Sequence, residues 1–214
     1  MTKVYPNAAS PLPQVCGGEC RELEADPVSA VLTVWKKSLI FNCDGFTVFG
    51  ADGRLVYRVD NYMFRNKGEI VLMDALGNCL LTVRRKRLSL SDSWTVFDGE
   101  TADNPRFFVR KSANLLNTKC VASVTSAGGG RSKNEMLYEI QGSYPRRCCT
   151  FYDDKRRQVA EIRQKESSIK GVDFGADVFR LVVNPGMDAA AAMAIVIVLD
   201  QMYGSSTARF FLTN

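Results

Sequence analysis

No histidine occurs among the 214 residues, and that absence excludes more chemistry than any residue present points to. Without imidazole there is no Ser-His-Asp or Cys-His nucleophilic pair, no histidine proton shuttle and no metal centre of mixed Cys and His ligands. An enzyme built on this chain would work with carboxylates, Lys, Tyr or Cys alone, and a zinc site would need four of its seven Cys. No catalytic residue, metal or cofactor is expected. Also missing is a continuous apolar stretch in the leader MTKVYPNAASPLPQVCGGECRELEADP, which with the odd Cys count predicts free thiols in a reducing, cytoplasmic compartment. A large excess of charge of one sign is missing too. With 28 Lys and Arg against 23 Asp and Glu the net charge is +5, so attraction to phosphates has to come from local clustering.

What is present is the composition of a globular protein, 46% hydrophobic and 24% charged, long enough for one domain with a substantial core. Residues 1–28 carry turn formers and little periodicity and are expected to be a flexible leader; residues 29–214 are expected to form a single domain. From Val31 onward apolar and polar residues alternate in short runs between turn signals. Three segments repeat a strand, a polar turn and a strand: FTVFGADGRLVYRV, IVLMDALGNCLLTV and CTFYDDKRRQVAEI. Asp52-Gly53 and Gly77-Asn78 supply positive φ at the first two turns, and Asp153-Asp154 makes the third. About twelve strands follow from this spacing. The stretch TSAGGGRSKN reads as a hairpin loop, since it lacks the Lys-Ser/Thr step and the strand-to-helix context of a phosphate loop.

The run MDAAAAMAIVIVLDQMY, residues 187–203, breaks the pattern because it is apolar on every face. Asp188 is a good N-cap after Pro185-Gly186, and a helix over about 188–202 spans roughly 22 Å, short of the roughly 30 Å of hydrocarbon that a transmembrane helix crosses. A helix apolar all round must be covered on all sides. The geometry that covers one using strands alone is a closed antiparallel barrel of about twelve strands, with the C-terminal helix at its centre.

A strand-rich barrel threaded by a C-terminal apolar helix resembles the tubby C-terminal-like fold, and within it the chain is similar to plant LURP-one-related proteins. The resemblance is carried by FTVFGADGRLVYRVDN, by LLTVRRKRLSLSDSWTVFDGE with Trp94 in its strand, and by VFRLVVNPGMDAAAAMAIVIVLDQMY. It implies a fold more than an activity. Members of that family lack an established biochemical activity, some are linked to basal defence against pathogens, related tubby domains bind phosphoinositides, and phospholipid scramblases share the fold. Neither a tubby lipid-binding motif nor a scramblase calcium segment aligns here residue by residue.

The strongest local signal is the basic run Arg84, Arg85, Lys86 and Arg87. Leu81 and Val83 before it and Leu88 and Leu90 after it fall on opposite parities, so a turn or bulge lies between them at a barrel rim. If consecutive strands simply reverse, Arg65, Lys67, Arg146 and Arg147 share that rim, with Lys36, Lys37, Lys111, Lys165 and Lys170, whereas Lys155, Arg156 and Arg157 fall at the other. Such a rim fits anionic phospholipid headgroups. Lys and Arg at strand ends also guard against edge pairing without binding anything. Phe46, Phe49, Tyr57, Tyr62, Phe64 and Trp94 at strand alternation are expected in the core rather than as stacking platforms for nucleic acid. Ser89, in KRLS, matches a basophilic phosphorylation pattern. Asp153, Asp154, Asp173 and Asp177 fit turns, and Cys149 fits a buried inert thiol.

The expectation is therefore a non-enzymatic, monomeric interaction module, cytoplasmic or peripheral at a membrane, that docks on phosphoinositides or other anionic lipids through a basic rim in plant defence signalling. Its alternative is a nuclear, nucleic-acid-associated regulator that uses the same surface.

Overall fold

The structure, a computed structural model, describes residues 28–40, 44–61, 69–86, 92–101, 103–112, 119–128, 135–165 and 175–204. Expectations for the leader, for Arg65, Lys67, Arg87, Ser89, Lys170 and Asp173, and for Tyr62 and Phe64 fall outside the described residues. Twelve strands follow one another: β1 (Ala30–Trp35), β2 (Asp44–Phe49), β3 (Leu55–Asn61), β4 (Glu69–Asp74), β5 (Cys79–Arg85), β6 (Ser93–Asp98), β7 (Pro105–Lys111), β8 (Cys120–Ser126), β9 (Met136–Ser143), β10 (Cys148–Tyr152), β11 (Gln158–Gln164) and β12 (Val178–Val183). A short 3-10 turn (Gly175–Asp177) precedes β12, and the one α-helix among the described residues, α1 (Ala189–Tyr203), comes last. Every strand pairs antiparallel with its neighbours in sequence, and β12 closes on β1 from Ala30↔Val183 to Trp35↔Val178, which makes a closed barrel with no crossover.

Alternation builds the wall. Leu32 and Val34, Phe46 and Val48, Phe107 and Val109 are buried at period two, while the residues between them face outward. The outward face includes Arg58, Glu161, Arg163 and Arg180. That is the reverse of a lipid-embedded barrel, whose outer face is the apolar one. Phe46 and Trp94 are core residues as expected, and Phe49 and Tyr57 are half-buried.

The three repeated hairpins share one turn. Gly50 N–H donates to Arg54 O and Gly53 N–H to Gly50 O; Asp74 with Asn78 and Gly77 with Asp74 repeat the pattern, as do Asp153 with Arg157 and Arg156 with Asp153. The fourth turn residue is left-handed in each, at φ 77° for Gly53, 93° for Gly77 and 61° for Arg156. Glycine accepts that conformation freely. Arg156 adopts it under strain, with its guanidinium paired to Glu139 at 3.2 Å. A register shift precedes each of these turns, so the strands bend where the wall must curve.

Nine consecutive helical residues, Ala191 to Leu199, are buried, and Met202 with them. Asp188 caps the helix by accepting from Ala190 N–H at 3.0 Å, and Arg106 holds its other oxygen at 2.8 Å. The helix ends at Gly204, in an extended rather than left-handed conformation, φ −63°. Glycine is needed there for a different reason, since a Cβ would collide with the Asp200 carbonyl oxygen.

Candidate anion-binding rim

Because no connection crosses the barrel, all odd strands run one way and the mouths can be told apart. The hairpin turns at 50–54, 75–78 and 153–157 lie at the mouth where α1 enters; the connections after β1, β5 and β9 lie at the mouth where it ends. Acidic residues dominate the described entry mouth, among them Asp52, Asp74, Asp98, Glu100, Asp153 and Asp188. Basic residues dominate the described exit mouth, among them Lys36, Lys37, Arg85, Lys86, Lys111 and Arg146. This polarity opposes the dipole of the helix inside, which is positive at its N-terminus and negative at its C-terminus, and a low-dielectric sheath screens that dipole little.

The described basic residues at the exit mouth differ in how far they are committed. Arg84 pairs with Glu69 at 2.9 Å, and its guanidinium lies 5.8 Å from the Phe97 ring. Arg85 is exposed and bonds Asp92 at 2.6 Å. Lys86 is exposed, and its backbone N–H closes the connection on Ser93 O. Arg146 is exposed in the turn Tyr144-Pro145-Arg146-Arg147. Lys36 reaches Asp200 near the helix end at 3.0 Å, and Tyr144 Oη donates to the same carboxylate oxygen at 3.1 Å.

Arg147 departs from the expectation of a headgroup-facing side chain. Only 5% of it is exposed. Its backbone is left-handed at φ 51°, which turns the side chain inward between the rings of Tyr144 and Phe179, 4.2 and 4.4 Å from their centroids. Nε donates to Ala176 O at 2.7 Å, and the buried Nη1 has no hydrogen-bond partner among the described residues. It forms a clasp between Tyr144, whose hydroxyl reaches Asp200 near the helix end, and Phe179 of β12. Sequence reasoning had no signal for this, because adjacent Arg146 and Arg147 differ only in the turn conformation each adopts.

The three groups fall after β1, β5 and β9, so Lys36-Lys37, Arg84 to Lys86 and Arg146 are each four strands from the next around a ring of twelve. Four strand spacings are roughly 19 Å of wall. Arg85 and Lys86 are brought together, but Arg146 is held well apart from them. The arrangement suits a broad charged surface better than a pocket for one small anion.

Burial pushes the Cys149 thiol up to about 12, with the neighbouring Cys148 adding to the rise against the pull of Arg147. Tyr144 is raised well above its ordinary value, first by burial and then by Asp200. An unfolded thiol ionises near 9.0 whereas folded Cys149 holds its proton to about 12. Unfolding in that interval releases a proton, so the contribution of Cys149 is complete below about 9 and is lost as pH rises towards 12. Denaturant midpoints at about pH 8 and about pH 10.5 are expected to differ more in the wild type than in Cys149→Ala. In native protein at neutral pH, a thiol reagent should modify exposed Cys148 and spare Cys149. Equal labelling of the two would contradict this geometry.

The LURP-one-related family model matches residues 30–200. Protein LURP-one-related 8 of Arabidopsis thaliana is 50% identical over 210 residues, which cover 96% of this chain and all of that relative. Protein LURP-one-related 5 is 47% identical over 179 residues, covering 81% and 83% of the two chains, and protein LURP-one-related 17 is 44% identical over 184 residues, covering 80% and 82%, both from the same plant. An X-ray structure of a protein from Arabidopsis thaliana superposes with a TM-score of 0.61 at 23% identity, over 82% of this chain and 92% of that one, a likeness of fold. None of these names is that of an enzyme.

Proposed function

The chain belongs to the LURP-one-related family, and from that premise we propose that it is a non-enzymatic, monomeric interaction module that docks on anionic phospholipids, phosphoinositides among them, through the exit mouth of its barrel. The observation that carries this reading is the charge polarity of the two mouths. Arg85, Lys86 and Arg146 supply solvent-facing cations at the exit mouth, and Arg65, Lys67 and Arg87, which belong to the proposal, lie outside the described residues. Docking is peripheral: among the described residues no helix is long and apolar enough to cross a membrane. A cytoplasmic protein of this kind in plant defence signalling would act by binding, and a phosphate on Ser89, two positions along the sequence from Arg87, would oppose the attraction by adding negative charge.

Each Lys or Arg close to an anionic leaflet contributes about 1 kcal/mol, so removing three is expected to lower affinity roughly a hundredfold. Co-sedimentation with phosphatidylcholine vesicles, with and without phosphoinositide, measures this for the wild type and for Arg85→Ala/Lys86→Ala/Arg146→Ala. Binding that ignores the triple substitution would remove the rim from consideration. Tighter binding to duplex DNA, falling steeply with salt and without lipid preference, would favour the nucleic-acid alternative.

A further inference from the structure

The connection after β1 does more at the exit mouth than carry charge. Thr47 Oγ1 donates to Lys37 O at 2.7 Å, and Ser38 Oγ donates to Asp60 at 2.5 Å while accepting from Ile40 N–H at 3.0 Å. Asp60 is in turn held by Arg58 Nε at 2.9 Å. Residues 36–40 are thereby fixed against the outer wall of β2 and β3, with buried Ser38 as the anchor. At the end of β1 and along this fixed segment two large apolar side chains reach solvent: Trp35 is 38% exposed and Leu39 is 52% exposed. Lys37 is exposed beside them, its Nζ 5.4 Å from the centre of the Trp35 ring.

A strand end and a held segment that display Trp35 and Leu39 with Lys37 at a basic mouth have the composition of a membrane-interface anchor, in which the indole sits at headgroup level, the aliphatic chain enters the acyl boundary and the cation meets lipid phosphate. A soluble polyanion would recruit the cations and leave Trp35 and Leu39 in water. We infer that Trp35 and Leu39 form an insertion wedge for an anionic bilayer, and that the exit mouth lies against the membrane with Arg85, Lys86 and Arg146 on the headgroups around it. The inference rests on the basic-rim reading and names the physical form of its ligand, a lipid surface rather than a free phosphate.

Fluorescence tests it directly, because the chain has two Trp and the other, Trp94, is buried inside the barrel. On addition of phosphatidylcholine vesicles containing phosphoinositide, Trp35 emission is expected to move to the blue and to be quenched by acyl chains brominated near the headgroup. Trp35→Ser/Leu39→Ser is expected to lower vesicle partition roughly ten- to a hundredfold while leaving the melting temperature in place, since both side chains are partly solvated. Retained vesicle binding in that variant, with no quenching in the wild type, would overturn the wedge and leave the basic rim standing. Quenching that persists when Arg85→Ala/Lys86→Ala/Arg146→Ala binds as well as wild type would keep the wedge and remove the rim. Failure to bind any vesicle would end both.

Discussion

Deletion of residues 185–214 is expected to abolish cooperative unfolding. Met193, Ile195, Val196, Ile197, Val198 and Leu199 are each fully enclosed, and burying such a side chain is worth about 1.5 to 3 kcal/mol. Together these terms rival the roughly 5 to 15 kcal/mol by which a whole domain is stable. The loss is larger than that figure, because Leu32, Val34, Leu181 and their counterparts face a space that only the helix fills. A closed wall cannot collapse inward without breaking its strand ladder. The truncated chain should lose its near-ultraviolet dichroism, bind a hydrophobic dye and melt over a broad range. Ile197→Ala, a milder probe of the same packing, should cost about 2 to 5 kcal/mol, towards the upper end if the void cannot relax. A sharp, reversible transition in the truncated protein would mean that the barrel stands hollow, and the placing of connections at two mouths would lose its basis.

The wall and its filling were both legible in the sequence, for separable reasons. Alternation at period two marks each strand wherever one face is buried, and the twelve strands match the number that the spacing predicts. The run 187–203 was legible because an all-apolar helix has few ways of being covered. Mouth assignment followed from the meander alone, since reversing strands leave no choice about which connections share an end. What the pattern could not reveal is local and polar. Arg147 turns inward through a single left-handed φ, and no periodicity marks that rotation. The connection after β1 folds back on Thr47 and Asp60 through side-chain to backbone and side-chain to side-chain bonds between residues up to 22 positions apart. The basic rim was read from strand parity, but its match to the helix was within reach and went unread: α1 starts where β12 ends, so the direction of its dipole, and hence the sign of charge each mouth favours, is set by the same parity.

Arg146 and Arg147, side by side in one turn, are expected to give opposite results. Arg147→Ala withdraws a guanidinium from between Tyr144 and Phe179, leaves the Ala176 carbonyl without its donor and opens a void beside the helix end. A charge-assisted hydrogen bond is worth about 1.5 to 3 kcal/mol and a desolvated cation on an aromatic face about 2, so a loss of about 3 to 5 kcal/mol in urea unfolding is expected. Relief of the left-handed strain at φ 51° cannot offset this in Ala, which shares the Cβ penalty. Arg147→Lys keeps the charge but not the flat, forked group that stacks and donates together, and should recover only part of the loss. Arg146→Ala touches an exposed side chain and should change stability by less than about 0.5 kcal/mol. On anionic vesicles the ranking reverses under conditions where both variants are folded: Arg146→Ala weakens binding, while Arg147→Lys binds as wild type. Were Arg147→Ala as stable as wild type but deficient in lipid binding, the inward clasp would be refuted and Arg147 would rejoin the cations that face the membrane.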